Sequence, residues 1–307
     1  MKSIRHATTP PSFQAHKSTF LSGGVSCAAT LRLPANHAGL PLPAILMVQG
    51  WGGTQNMLTP PYCEEFTRAG FAVMTFDYPG WGDSAGLPRN QINPRQRLRD
   101  ADAALAHLKS LPQVDADRVV LWGSSFGGGH VIELAAEHPG LLGVIAQVPV
   151  LDGMAAVRAV PLLRLLRFAL YALADLVRFG RPLYIPVVSA PGEFGSMDRD
   201  DAHKAMRMAV AANGRPYDNR VSARSLLHMG PYRPFKRLKD IRVPTLIVGG
   251  TSDTVAPFIE SRIRDANNPC LQVRSIEANH FEPYFEPAFS SLIDFELAFL
   301  QSLLKRS

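Results

Sequence analysis

The chain has 307 residues, 46% of them hydrophobic and 19% charged, with a formal net charge of +6. This is the composition of a globular protein that buries a large core, long enough for one large α/β domain or two smaller ones. The positive charge is spread out, densest over residues 89–99 and 215–242, and forms no focused stripe with stacking aromatics, so nucleic-acid binding is not expected. The three cysteines, Cys27, Cys63 and Cys270, are scattered without C-x-x-C or metal spacing. That argues against a disulfide framework and suits a reducing compartment. The opening MKSIRHATTPPSFQAHKSTF has no apolar signal-peptide stretch, so the expected location is cytoplasmic.

Residues 1–17 read as an N-terminal extension. STFLSGGVSCAATLRLP then alternates around a Gly-Gly turn and predicts a β-hairpin. LPAILMVQG, FAVMTFDYPG, RVVLWGS, LGVIAQVPV, PTLIVGGTSD and CLQVRSIEANH are continuous apolar runs that end in turn or polar residues. Runs of that kind suit strands buried on both faces of a parallel sheet. Helical stretches alternate with them. PYCEEFTRAG closes at Gly70. NPRQRLRDADAALAHLKSL carries Leu98, Ala101, Leu105 and Leu108 at helical spacing. HVIELAAEHPG stops at Pro139-Gly140, and SSLIDFELAFLQSLLKRS ends the chain. The alternation predicts βαβ units, a mostly parallel sheet and no internal repeat.

Residues 152–230 break the rhythm. Within them PLLRLLRFALYALADLVRF is strongly helical, with Arg164, Arg167, Tyr171, Asp175 and Arg178 on one narrow stripe. Four charges speak against a membrane span, because each is costly at the bilayer centre. Two readings stay open: an interfacial membrane helix, or an inserted lid whose wide apolar face covers a pocket. The lid is preferred. The domain reading is therefore a core of residues 18–151 and 231–307, with 152–230 as a cap.

Two segments match Gly-x-Ser-x-Gly: GDSAG around Ser84 and GSSFG around Ser125. Their contexts differ. GSSFG sits between an apolar strand and GGHVIELAAEH, so Ser125 occupies a strand–turn–helix junction. A sharp turn there exposes the hydroxyl, and the helix behind it directs backbone N–H groups at developing negative charge. Gly123, Gly127, Gly128 and Gly129 allow strand and helix to pack closely. GDSAG is followed by GLPRNQINPRQR, which has no helix start, so Ser84 reads as a turn residue. Ser124 has the wrong offset from the glycines.

A serine nucleophile needs a base and an orienting carboxylate. His107, His130, His138 and His203 fall in helical patterns. His280 follows the strand LQVRSI, and parallel sheets present their chemistry beyond strand carboxyl ends. Asp253, just past IVGG, is the expected acid, with Asp152 as the alternative; Asp77 is expected to shape its own loop. MVQGWGGT supplies the oxyanion turn, with the N–H groups of Trp51 and Phe126 as donors.

QGWGG, FDYPGWGDSAG, GSSFGGG, GTSDTVAP and EANHF together resemble an α/β-hydrolase-fold serine hydrolase, over nearly the whole chain after about Ser18. The order nucleophile, acid, histidine is that of the superfamily. The chain looks closest to a bacterial esterase-like branch related to acetyl xylan esterases, X-Pro dipeptidyl-peptidase-like proteins and fungal polyketide acyltransferases. Gln49 stands where many relatives have a histidine, and Trp51 is bulky. The resemblance implies an α/β-hydrolase fold with an inserted helical lid. It also implies hydrolysis of a small-molecule carboxylic ester or thioester through an acyl-enzyme, without cofactor or metal. Acyl transfer, peptidase activity and, least of all, non-catalytic binding are the alternatives. A serine at the elbow speaks against the aspartate chemistries of dehalogenation and epoxide opening.

Overall fold

The structure is a computed structural model that describes residues 13–35, 37, 39–178 and 180–305. It opens with a hairpin, β1 (Phe13–Ser22) and β2 (Val25–Pro34), joined at Gly23-Gly24. Both glycines have positive φ, 55° and 81°, and Ser22 pairs with Val25, as a tight two-residue hairpin turn requires. The first strand starts upstream of the expected boundary at Ser18. Residues 13–17 pair with β2 and belong to the sheet rather than to an extension. The rest of the expected extension, residues 1–12, lies outside the described residues.

Next come β3 (Leu42–Val48), α1 (Pro60–Arg68), β4 (Ala72–Phe76), α2 (Pro94–Ser110), β5 (Val114–Ser124), α3 (Phe126–Glu137) and β6 (Gly143–Gln147). The excursion that follows contains α4 (Gly153–Arg158), α5 (Leu162–Leu176), β7 (Tyr184–Ile185), α6 (Asp200–Asn213) and β8 (Val221–Ser222). The chain then returns through β9 (Thr245–Gly250), α7 (Glu260–Arg264), β10 (Leu271–Ile276) and α8 (Ala288–Leu304).

Eight strands form one sheet in the order β1-β2-β4-β3-β5-β6-β9-β10. The hairpin joins antiparallel, through β2 on β4; every pairing from β4 to β10 is parallel. The buried positions explain the continuous apolar runs: β4 and β6 are buried at every residue because helices cover both faces. This is the α/β-hydrolase fold, with its strand carboxyl ends gathered on one edge.

The excursion between β6 and β9 is tied together by Asp175. Its buried carboxylate accepts from the Leu183 amide at 2.6 Å, the Ser222 hydroxyl at 2.9 Å and the Arg224 amide at 2.8 Å, and it pairs with the Arg224 guanidinium. α5 departs from expectation in two ways. It ends at Leu176, and its apolar face is divided. Leu165 and Phe168 look inward on a cavity, while Leu163 and Leu170 are 82% and 68% exposed. The charged stripe is partly spent on internal contacts, since Arg164 pairs with Asp198 and Arg167 lies 3.9 Å over the Phe194 ring. Among the described residues no helix is long and apolar enough to cross a membrane.

Candidate active site

β5 runs into α3 through Ser125, whose backbone adopts φ 57° and ψ −122°. A non-glycine residue at positive φ is uncommon, and here the neighbouring packing holds it. The Ser125 amide donates to Gln147 O at 2.9 Å, and its carbonyl accepts from Val150 N at 2.9 Å. A Cβ on Gly127 would collide with the Val48 and Gln49 carbonyls, and one on Gly123 with the Gly127 carbonyl. Strand and helix are therefore in backbone contact around the turn, which side chains at those positions would prevent.

His280, in the loop after β10, reaches both neighbours. Its Nε2 lies 2.8 Å from Ser125 Oγ and its Nδ1 2.6 Å from Asp253 Oδ2. A carboxylate accepts only, so the proton sits on Nδ1 and Nε2 is free to accept from the serine. Asp253 is itself fixed, because Oδ1 accepts from the Val255 and Ala256 amides at 2.8 Å each. His280 is 2% exposed and Asp253 6%, so this hydrogen-bonded line is largely shielded from water.

The other candidates lie elsewhere. Asp152 caps α4 through the Met154 amide and pairs with Arg233 at 3.3 Å and Arg262 at 3.0 Å. Burial pushes its carboxyl up, but the bonds from Arg262 and Arg233 outweigh that and leave it below the usual range. It is engaged by two arginines, and His280 is engaged by Asp253. Ser84 is buried, with its hydroxyl donating to Asp77 O at 2.6 Å and accepting from Ala28 N at 2.8 Å. It ties the hairpin to the loop after β4. Asp77 shapes that loop by accepting from Gln55 N at 2.8 Å and Asp83 N at 3.0 Å. Ser124 turns to the Tyr284 hydroxyl.

The turn after β3 presses on the serine. A Cβ on Gly50 would stand 3.1 Å from Ser125 Cβ, so only glycine fits this approach comfortably. Neither the Trp51 nor the Phe126 amide bonds to another protein group among the described residues. Phe126 N–H is one of the unpaired donors that open any helix. Besides its own Gly53 N–H to Gly50 O bond at 3.2 Å, three side-chain contacts fix the turn. Arg97 Nη1 donates to Gly50 O at 2.9 Å, Tyr217 Oη to Gly52 O at 2.8 Å, and the Trp51 indole N–H to Ser196 Oγ at 3.2 Å. Ser196 and Tyr217 come from the excursion, a link that no local sequence pattern announces.

The serine aminopeptidase S33 hydrolase family matches residues 40–268 of this chain. The chain belongs to that family. Quorum-quenching protein AidA of Acinetobacter baumannii is 32% identical over 288 residues, covering 93% of this chain and 94% of that one. Thiohydrolase aneE of Aspergillus aculeatus is 22% identical over 275 residues, covering 85% and 86%. The crystal structure of the α/β hydrolase GrgF from Penicillium sp. superposes with a TM-score of 0.73 at 22% identity, covering 94% and 98%, and shows the shared fold.

In this S33-family chain a cavity of about 280 Å³ opens from Ser125 under α4 and α5. Val157, Leu165, Phe168 and Met197 are among its walls, and the one carboxylate lining it among the described residues, Asp198, is paired with Arg164. Trp51 stands at its base with its ring edge-on to Phe126, centroids 5.4 Å apart.

Behind the site, Trp122 Nε1 donates to Glu296 Oε2 at 3.0 Å in the core between β5 and α8. Burial raises the Glu296 carboxyl from 4.5 to about 8, and the Trp122 bond lowers it only in part. The folded state therefore holds this proton more tightly than the unfolded chain. Its contribution is fully present below pH 4.5 and is lost as pH rises towards 8. Glu296→Gln keeps an acceptor for the indole and removes the ionisation. Thermal melts should show the variant gaining on wild type between pH 5 and pH 8; an identical pH dependence would contradict a protonated Glu296.

Proposed function

We propose that this protein is a serine hydrolase that cleaves esters or thioesters with an apolar acyl group, α4 and α5 acting as a cap over the acyl site. The observation that carries the proposal is the hydrogen-bonded line Ser125–His280–Asp253 opening on an apolar cavity.

His280 Nε2 takes the proton of Ser125 Oγ as that oxygen attacks the carbonyl carbon. The carbonyl π pair moves onto oxygen, and the oxyanion is held by the N–H groups of Trp51 and Phe126. Collapse breaks the bond to the leaving group. An alcohol departs with the proton from His280, whereas a thiolate leaves first and then takes up that proton, so His280 is neutral again before deacylation in either case. Water then gives a proton to His280 and attacks the acyl-enzyme. Collapse releases the acid and returns the proton to Ser125. Asp253 holds the imidazole tautomer throughout and stabilises its cation.

An aminopeptidase would need an anion to hold the substrate's ammonium group. The pairing of Asp198 with Arg164 argues for an uncharged acyl group instead. The name of the Aspergillus relative, thiohydrolase, supports thioesters within the range.

A p-nitrophenyl ester series tests the proposal. Each methylene entering the cavity contributes ~0.8 kcal/mol, so kcat/KM should rise about fourfold per carbon until the cavity is full. A profile that falls steadily from acetate would show that the cavity is not the acyl site.

A further inference from the structure

Arg97, 2% exposed, is a buried cation with no carboxylate in salt-bridge contact among the described residues. Asp100, buried on the same face of α2, acts on it only at longer range. Arg97 Nε and Nη2 have no protein hydrogen-bond partner among the described residues. Its guanidinium lies 4.3 Å over the Tyr78 ring and 5.3 Å from the Trp81 ring, and the single hydrogen bond it makes goes from Nη1 to Gly50 O. Burying a charge this way is costly, and an apolar side chain of similar size often serves stability as well or better. The arrangement therefore calls for a role other than stability.

The acceptor identifies that role. Gly50 O belongs to the peptide that carries the Trp51 N–H. In a planar trans peptide the C=O and N–H point in opposite directions. Gly50 O also accepts from Gly53 N at 3.2 Å, which closes the turn. The shorter, charged bond from Arg97 completes the hold on the carbonyl and aims the N–H away from Arg97, on a turn whose Gly50 is packed against Ser125. A positive charge on the oxygen also draws electron density from the nitrogen and strengthens the N–H as a donor, most effectively where water is excluded.

We infer that Arg97 is a positioning residue of the oxyanion hole, orienting and polarising the Gly50–Trp51 peptide through its carbonyl. The inference rests on the serine-hydrolase reading, in which the Trp51 N–H receives the oxyanion. Arg97 itself touches neither substrate nor Ser125.

The test compares Arg97→Met and Arg97→Lys with wild type. The measurements are kcat and KM on one p-nitrophenyl ester, inhibition by an alkyl boronic acid that forms a tetrahedral serine adduct, and final fluorophosphonate stoichiometry. The stoichiometry counts competent sites and normalises kcat. Losing one oxyanion donor outright costs about 10²–10³-fold. Loss of its orientation and polarisation should lower kcat per site roughly tenfold or more in Arg97→Met, weaken the boronic acid in parallel and leave KM within about threefold. Arg97→Lys keeps the charge and should recover most of the loss. Should Arg97→Met not fold, Arg97→Gln, which leaves the carbonyl a neutral donor but no charge, should still lower kcat per site by roughly threefold or more and weaken the boronic acid in parallel.

Unchanged kcat per competent site, a change confined to KM, or a lysine variant as impaired as the neutral one would overturn the inference. The serine-hydrolase reading fails separately, if wild-type protein takes up no fluorophosphonate or Ser125→Ala takes it up fully.

Discussion

Ser125→Ala should abolish turnover of a p-nitrophenyl ester, with a loss of about 10⁴–10⁶-fold in kcat, while the protein stays folded. The size follows from the site. The serine hydroxyl is hydrogen-bonded to His280 and opens on the apolar cavity, so removing it leaves only binding and the oxyanion donors. The fold should tolerate the change. The φ of 57° strains serine and alanine alike, and the Ser125 amide and carbonyl keep their bonds to Gln147 and Val150. Far-UV circular dichroism and a melting curve close to wild type, beside absent turnover, are the expected result.

Asp253→Asn should lower kcat by about 10⁴-fold while leaving the geometry intact. Asp253 Oδ2 holds the Nδ1 proton of His280, and Oδ1 is fixed by two backbone amides. An asparagine that keeps those two amide bonds turns its NH2 towards Nδ1. The imidazole must then carry its proton on Nε2, where it cannot accept from Ser125. Asp152→Asn is the internal comparison. Asp152 is engaged by Arg233, Arg262 and the α4 N-terminus, so its loss should leave kcat near wild type and show instead as a lower melting temperature. Steady-state kinetics on the two variants decides which carboxylate serves the histidine.

Much of this arrangement is legible in the sequence because strand ends leave local marks. Ser125, Asp253 and His280 lie one, three and four residues past the ends of β5, β9 and β10, and the topology of a parallel sheet brings such positions to one edge. The glycines after Ser125 mark backbone contact that the structure shows to be tight. The difference between Ser84 and Ser125 is legible for the same reason, since only one is followed by a helix.

What escapes the sequence is contact between distant elements. Arg97 lies on the buried face of α2 with Ala101, Ala104 and Leu108. A cation in that stripe was the available sign, masked by the arginines around it. Glu296 sits likewise among Leu292, Phe299 and Leu300 on the buried face of α8. Tyr217 and Ser196 hold the turn after β3 from more than a hundred residues away, and no periodicity encodes such a pairing. The apolar width of α5 is visible in the sequence. Its division into a cavity face and an exposed face depends on what packs beneath it, namely Phe194 and Asp198.

The central claim is that Ser125 is the nucleophile. Wild-type protein treated with a fluorophosphonate, digested and mapped by mass spectrometry tests it most directly. The expected result is one adduct per chain, on the peptide carrying Ser125, with none on the peptide carrying Ser84 and none anywhere in Ser125→Ala. Stoichiometric adduct on any other residue, or full labelling of Ser125→Ala, would contradict it.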